Sequence, residues 1–190
     1  MLDMGKEKRF FRDLLAHYAG IFPQEYTRSL DERLCRRLMD AILVREGDFL
    51  FAFAPVRGEP DIGPFLSAWL ETGGLLAMPV WLGGSEMVCS QVYDIRRDLQ
   101  PGPGGIMTPK KGLRDVAPGE IGAAVVPGMA FSERKQRLGR GAGCYDTFLR
   151  KNEGILKIGA AYDYQIFPVL PTDVHDVAMD KVATPGRLIE

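Results

Sequence analysis

A chain of 190 residues with 46% apolar and 26% charged residues has the profile of one globular domain, residues 1–190, with a sizeable core. Its net charge of −1 supplies no bulk field for nucleic acid or an anionic membrane, so any anion binding must be local. No apolar run approaches the ~20 residues that span a bilayer. The charged N-terminus lacks a signal-peptide core. Cys35, Cys89 and Cys144 are too far apart for a zinc pattern or a disulfide framework, so a reduced, cytoplasmic setting is expected.

The periodicity of Phe10, Phe11, Leu14, Leu15 and Tyr18 predicts an amphipathic helix over 5–20, ended by Gly20. Lys8 and Arg12 are four apart and share one face of it. By spacing alone they read as a solvated basic edge. A second helix is predicted over 23–45, starting after Phe22, with Leu30, Leu34, Leu38 and Ile42 as its stripe and Cys35 in the core beside it. Residues 49–54 are predicted as a buried strand. The loop after it carries Glu59 and Asp61. Asp61 is placed to cap a third helix from Gly63 to Glu71. Loops at the carboxyl ends of strands hold ligands in open α/β sheets, which makes Glu59 a site candidate by position, against the plainer reading of a surface carboxylate. Strands follow at 75–80 and 87–92, joined at Gly83-Gly84. Trp81 and Tyr93 near their ends could flank a planar ring or simply pack half-buried. Residues 98–111, rich in Gly, Pro and Lys, read as a long loop.

The stretch 125–150 organises the chain. An apolar strand over 123–126 ends at Pro127-Gly128. A basic loop follows, and then Gly139, Gly141 and Gly143 stand on alternate positions before a helix start at Tyr145-Asp146. Strand, glycine-rich basic loop and helix N-terminus together suit an anion: glycine lets backbone N–H groups approach closely, and the helix dipole adds to them. Arg137 and Arg140 supply charge in fork geometry. The plainer alternative is a tight turn that needs positive φ angles. The loop lacks the Gly-Lys-Ser/Thr ending of a Walker A motif and the spacing of a dinucleotide fingerprint. Magnesium accompanies triphosphates, and Asp146, Asp176 and Asp180 are candidate ligands; an Asp in a first helical turn is equally a dipole partner. No nucleophilic triad is visible. Cys144 at a helix start could have a lowered thiol pKa, with His175 as the one available base.

A strand at 155–161, a short helix or turn at 162–167 and a final short strand complete the chain. The alternation of elements predicts an α/β fold: a three-layer α/β/α sandwich with a mainly parallel, Rossmann-like sheet. The helix after Gly143 should cross over right-handedly to the strand at 155–161.

The segment VVPGMAF…RLGRGAGCYDTFL resembles the signature of the 5-formyltetrahydrofolate cyclo-ligase family, also called methenyltetrahydrofolate synthetases. KRFFR near the start, Ala54 to Asp61, LQPGPGGIMTP and LPTDVHDVAMDKVAT are similar to further family segments, in the family's order, across nearly the whole chain.

The resemblance implies an ATP-dependent ring closure of 5-formyltetrahydrofolate to 5,10-methenyltetrahydrofolate, with ADP and phosphate released and Mg2+ required. It implies that Lys8 and Arg12 contact ATP. The run Lys135, Gln136, Arg137, Leu138, Gly139, Arg140, Gly141, Ala142 and Gly143 would hold the phosphates. Asp146 and Asp180 would bind the metal, Ala54 and Glu59 would line the folate site, and Tyr145 would lie near the formyl group. Arg137, Arg140 and Tyr145 are the implied catalytic set. The expected partners are the reduced folate and ATP, with no nucleic acid and no membrane, and the expected state is a monomer or weak homo-oligomer. The chain departs from the family pattern at Lys135-Gln136, Ala142, Cys144 and Thr108. Those departures motivate a second reading, an ATP- or folate-binding paralogue without this turnover. A sugar-phosphate enzyme on a related scaffold is a third.

Overall fold

The structure is a computed structural model that describes residues 4–19 and 24–190. Gly20, Phe22 and Pro23, expected to separate the first two helices, lie outside the described residues. The chain forms helices α1 (Met4–Tyr18) and α2 (Gln24–Ala41), strand β1 (Phe49–Phe51), helix α3 (Gly63–Glu71), and strands β2 (Leu75–Gly83), β3 (Glu86–Val92), β4 (Leu99–Pro101), β5 (Met107–Pro109), β6 (Asp115–Val116), β7 (Ile121–Pro127), β8 (Ala130–Ser132) and β9 (Arg137–Leu138). Helix α4 (Cys144–Lys151) and strands β10 (Leu156–Ala160), β11 (Ile166–Phe167), β12 (Lys181–Ala183) and β13 (Leu188–Ile189) complete it.

Eight strands make one sheet in the order β13-β12-β10-β7-β1-β2-β3-β6. The five from β12 to β2 are parallel, and β13, β3 and β6 add antiparallel edges. The centre is parallel because its strands are apolar on both faces, as β1 (FLF) and β7 (IGAAVVP) are, and so need cover on both. Period-two alternation divides them. Leu50, Leu76, Ala123 and Val125 face Leu34 and Leu38 of α2 and Phe65 and Leu66 of α3. Phe49, Phe51, Ala124 and Val126 face Phe148 and Leu149 of α4. This is the expected three-layer arrangement.

Helix α1 belongs to neither layer. It packs Leu15 on Ala130, Leu138 and Leu170, with Phe11 edge-on to Phe167 at 5.2 Å between ring centroids. Beneath it is a second, small sheet in the order β11-β8-β9. Amphipathic spacing predicted the helix but carried no information about its partner.

Several boundaries differ from expectation. The basic loop after Gly128 contains β8 and β9, paired at Phe131↔Arg137 and closed by Lys135, whose φ of 63° is left-handed. Residues 98–111 are not a long loop: β4 and β5 pair antiparallel across Gly104 and Gly105, with φ of 67° and 76°. Neither strand pair is long enough to display an alternation in sequence. Strand β2 runs on past Val80 through Trp81 and Leu82 to Gly83 because β3 continues to pair with it. Strand β6 had no sequence signal at two residues. Helix α2 stops at Ala41 rather than continuing to 45; Ile42 N–H still reaches Leu38 O at 3.1 Å before the chain turns at Gly47. Asp61 stands one residue before the cap expected of it: the N-cap of α3 is Ile62, without a side-chain cap bond, while Asp61 Oδ1 accepts Gly63 N–H at 2.9 Å and Pro64 lies in the first turn.

Gly159 in β10 sets the distance between the two sheets. A Cβ there would lie 2.4 Å from Cε1 of the fully buried Phe131. Gly159→Ala should therefore lower the unfolding free energy by about 1–3 kcal/mol through overpacking, read from the midpoint of a urea transition.

Candidate active site

The connection from β7 to α4 passes through β8 and β9 and then through the glycine turn. Arg137 on β9 is thereby carried under that turn and is 5% exposed. Its Nη2 donates to Asp146 Oδ2 at 2.6 Å and its Nη1 to Pro127 O at 3.3 Å. The guanidinium lies 5.7 Å from the centroid of the Tyr145 ring. Its Nε is buried and has no hydrogen-bond partner, an open donor at the base of the turn. Asp146 Oδ1 accepts Val177 N–H at 3.1 Å, so one carboxylate ties α4, β9 and the C-terminal segment together.

The turn has little room. A Cβ on Gly139 would stand 2.8 Å from Arg137 Nη1, and Gly141 and Gly143 have φ of 114° and 70°. Ala142 is outside the left-handed region: among the described residues Lys135 is the one non-glycine with positive φ. The alanine at this position therefore carries no backbone strain.

The face of α1 that carries Leu15 reaches the same place. Arg12 Nε donates to Gly139 O at 2.9 Å, with its guanidinium beside Gly141. Lys8 is 8% exposed and donates to Asp176 Oδ2 at 2.5 Å and Asp173 Oδ2 at 3.4 Å. The solvated-edge reading of these two residues is thus corrected. A helix docked on the small sheet cannot leave that face to solvent, and a buried lysine needs an acidic partner. Asp173 was missed in sequence; only the burial of Lys8 points to it.

On the other side, Arg140 Nε donates to Glu59 Oε1 at 3.2 Å and its Nη2 to Arg57 O at 3.0 Å. Glu59 Oε2 accepts Val56 N–H at 3.1 Å. Burial pushes the Glu59 carboxyl above its ordinary range, and Arg140 opposes that shift. Ala54, 9% exposed, sits in the core cluster that Tyr145 borders. Burial drives the Tyr145 phenol far above its usual pKa, so it stays neutral and can donate. Gln136 and Leu138 shape the turn. The Gln136 amide oxygen accepts from Ser132 Oγ and Leu170 N–H, and Leu138 is buried under α1. Lys135 is half-buried and its carbonyl accepts Met179 N–H at 2.9 Å, which brings the Asp180 region to the turn.

Asp180 Oδ2 accepts Lys157 N–H at 2.7 Å and pairs with Lys157 Nζ at 2.9 Å. Asp146 and Asp180 thus have different cations as partners, and no group of three or more His, Cys, Asp or Glu side chains converges among the described residues. Both Asp146 oxygens and Asp180 Oδ2 already accept hydrogen bonds, so a cation held here would have to take most of its oxygens from phosphate and water. The fit to the polyphosphate itself is closer. Arg12 faces the glycine turn through a carbonyl rather than a carboxylate, and Arg137 keeps an open donor there.

The tip of the β2–β3 hairpin lies against the start of α4. Gly84 O accepts both Trp81 Nε1–H at 3.0 Å and the Cys144 thiol at 3.4 Å, and Trp81 stays half exposed. Burial raises the Cys144 thiol pKa, the opposite of a helix-start activation. Cys35 and Cys89 are pushed up to about 11 and about 12. A raised thiol pKa means less thiolate at neutral pH. All three cysteines of the native protein should therefore react with iodoacetamide at pH 7.5 more slowly than free cysteine, as mass spectrometry over time would show.

Sheet, crossover turn and facing side chains define an α/β fold with a candidate site outside the carboxyl ends of β1 and β7. The chain belongs to the 5-formyltetrahydrofolate cyclo-ligase family, a family of ligases, whose sequence profile matches residues 4–185. It is 32% identical over 153 residues to the 5-formyltetrahydrofolate cyclo-ligase of Mycolicibacterium smegmatis, covering 74% of this chain and 75% of that one. To the Escherichia coli cyclo-ligase it is 27% identical over 172 residues, covering 87% and 93%. The NMR structure of the Aquifex aeolicus 5,10-methenyltetrahydrofolate synthetase matches with a TM-score of 0.83 at 30% identity, over 95% of this chain and 91% of that one. The Mycoplasma pneumoniae synthetase shares the fold, with a TM-score of 0.76 at 18% identity over 94% and 99%.

Proposed function

We propose that the chain closes 5-formyltetrahydrofolate to 5,10-methenyltetrahydrofolate in the cytoplasm, consuming Mg-ATP and releasing ADP and phosphate. The observation that carries this reading is the convergence of Arg12, Arg137 and Arg140 on a glycine turn, in a chain matched to the cyclo-ligase family over residues 4–185.

In this reaction the formyl oxygen takes the γ-phosphoryl group of ATP and ADP leaves. N10 then attacks the activated formyl carbon and gives up its proton to solvent, and the carbon–oxygen bond breaks to release phosphate. Transfer of this kind asks the protein for position and charge, not for a nucleophile. Lys8 and Arg12 hold the nucleotide from α1. Backbone N–H groups from 135–143 line its phosphates. Arg137 cannot swing away, because Asp146 and Pro127 O hold it, so its charge and its open Nε–H are preorganised for the transferring group. Asp146 and Asp180 would hold the magnesium, which would neutralise phosphate charge. Arg140 is more exposed than Arg137 and pairs with Glu59, linking the phosphate turn to the folate side at Ala54 and Glu59. Tyr145, neutral and beside Arg137, would donate to the formyl group.

Purified protein supplied with Mg-ATP and 5-formyltetrahydrofolate should generate the absorbance of the methenyl product. Absence of product at high enzyme concentration, with calorimetry still showing nucleotide or folate binding, would replace this reading with a binding paralogue.

A further inference from the structure

Between the last turns of α1 and the loop after β1 lies a cleft of about 370 Å³. It opens beside Arg140, at the end of α1 away from Lys8. Its two walls differ. Leu15, Ala16 and Met129 are apolar, Arg57 and Arg140 are cationic, and no carboxylate lines it. Its floor is rigid. Gln165, 3% exposed, places its amide nitrogen 3.0 Å from Met129 O, 3.3 Å from Gly58 O and 3.4 Å from Gly128 O, while its amide oxygen accepts Tyr162 N–H. Arg140 is already engaged by Glu59 and by the carbonyl of Arg57. The Arg57 side chain is exposed and makes no ion pair with a described residue.

An amphipathic cleft with an unpaired guanidinium at its rim calls for a ligand that is apolar along one side and ends in a carboxylate. We propose that it receives the aminobenzoyl-glutamate end of the reduced folate, with Arg57 pairing a glutamate carboxylate and the benzoyl ring lying on the α1 wall. This rests on the folate reading above. A nucleobase carries no charge to match Arg57, and the polyphosphate is accounted for by the glycine turn. Glu59, two residues beyond Arg57 in the loop, pairs with Arg140, which both lines the cleft and belongs to the glycine turn.

The test compares wild type and Arg57→Ala on 5-formyltetrahydrofolate and on the carboxamide of 5-formyltetrahydropteroate, a pteroate that lacks the glutamate and carries no carboxylate. The substitution removes only an exposed side chain, since Arg140 bonds the backbone carbonyl of residue 57. Its KM for the folate should rise about tenfold, the size of one lost charge-assisted hydrogen bond, with kcat and the KM for ATP unchanged. On the pteroate the two enzymes should be alike, and Arg57→Lys should recover part of the folate affinity. An unchanged folate KM, or a rise in the KM for ATP instead, overturns the assignment. If wild type forms no methenyl product, calorimetry with the same two compounds decides separately from ring closure. Tenfold weaker folate binding by Arg57→Ala, with pteroate binding unaffected, supports the cleft. Equal binding of the folate by both proteins, or binding by neither, overturns it.

Discussion

Arg137→Ala should reduce turnover by about a thousandfold, within the range seen when a preorganised charge is taken from a transferring phosphoryl group. The substitution should also destabilise the protein. The Arg137 side chain is 3% exposed and that of Asp146 15%, at 2.6 Å. Removing the cation leaves a carboxylate largely out of water, which costs about 3–5 kcal/mol. Two effects from one change can be confused, so the double variant Arg137→Ala/Asp146→Ala separates them. It should regain much of the stability in chemical denaturation and none of the activity. Arg137→Lys keeps the charge but cannot reach Asp146 and Pro127 O together, so it should remain well below wild type. Wild-type kinetics for Arg137→Ala would remove this residue from the site.

Lys8→Ala should raise the KM for ATP by about ten- to a hundredfold, the worth of one or two charge-assisted contacts, with a smaller change in kcat. The KM for the folate should stay where it is. Without nucleotide the ammonium is matched by Asp176 and Asp173, so ATP binding requires Lys8 to exchange carboxylate for phosphate. Initial rates at saturating folate across a range of ATP concentrations give the result directly. A selective loss of folate affinity would contradict the assignment of α1 to the nucleotide.

The parts of the site legible in sequence were those that one continuous segment supplies. Gly139, Gly141 and Gly143 with Arg137 and Arg140 declare a tight, cationic turn wherever they occur, because the glycines are needed for backbone geometry and the arginines for charge. Lys8 and Arg12 illustrate the opposite case. Spacing put them on one face of a helix and left that face in solvent. Their implied role came from a family resemblance, and the contacts they make became visible only with α1 docked on β11-β8-β9. Arg57 and Gln165 carried no signal, since neither the cleft nor its floor exists until α1, the loop after β1 and residues 163–165 meet.

The chain's sequence by itself determined the layers. Apolar runs such as 123–126 must be buried on both faces, and helices with one apolar stripe must cover them, so an α/β/α sandwich with a parallel centre follows from local patterning. Sequence also determined the tight, cationic character of the turn, because glycine's missing Cβ and arginine's permanent charge are properties of the residues themselves. Tertiary structure alone decided which charges face one another. Arg137 with Asp146, Arg140 with Glu59 and Lys8 with Asp176 are separated by 9, 81 and 168 residues. Periodicity is a short-range signal. The pairing of buried ions depends on which surfaces dock, and therefore on desolvation that no local pattern records.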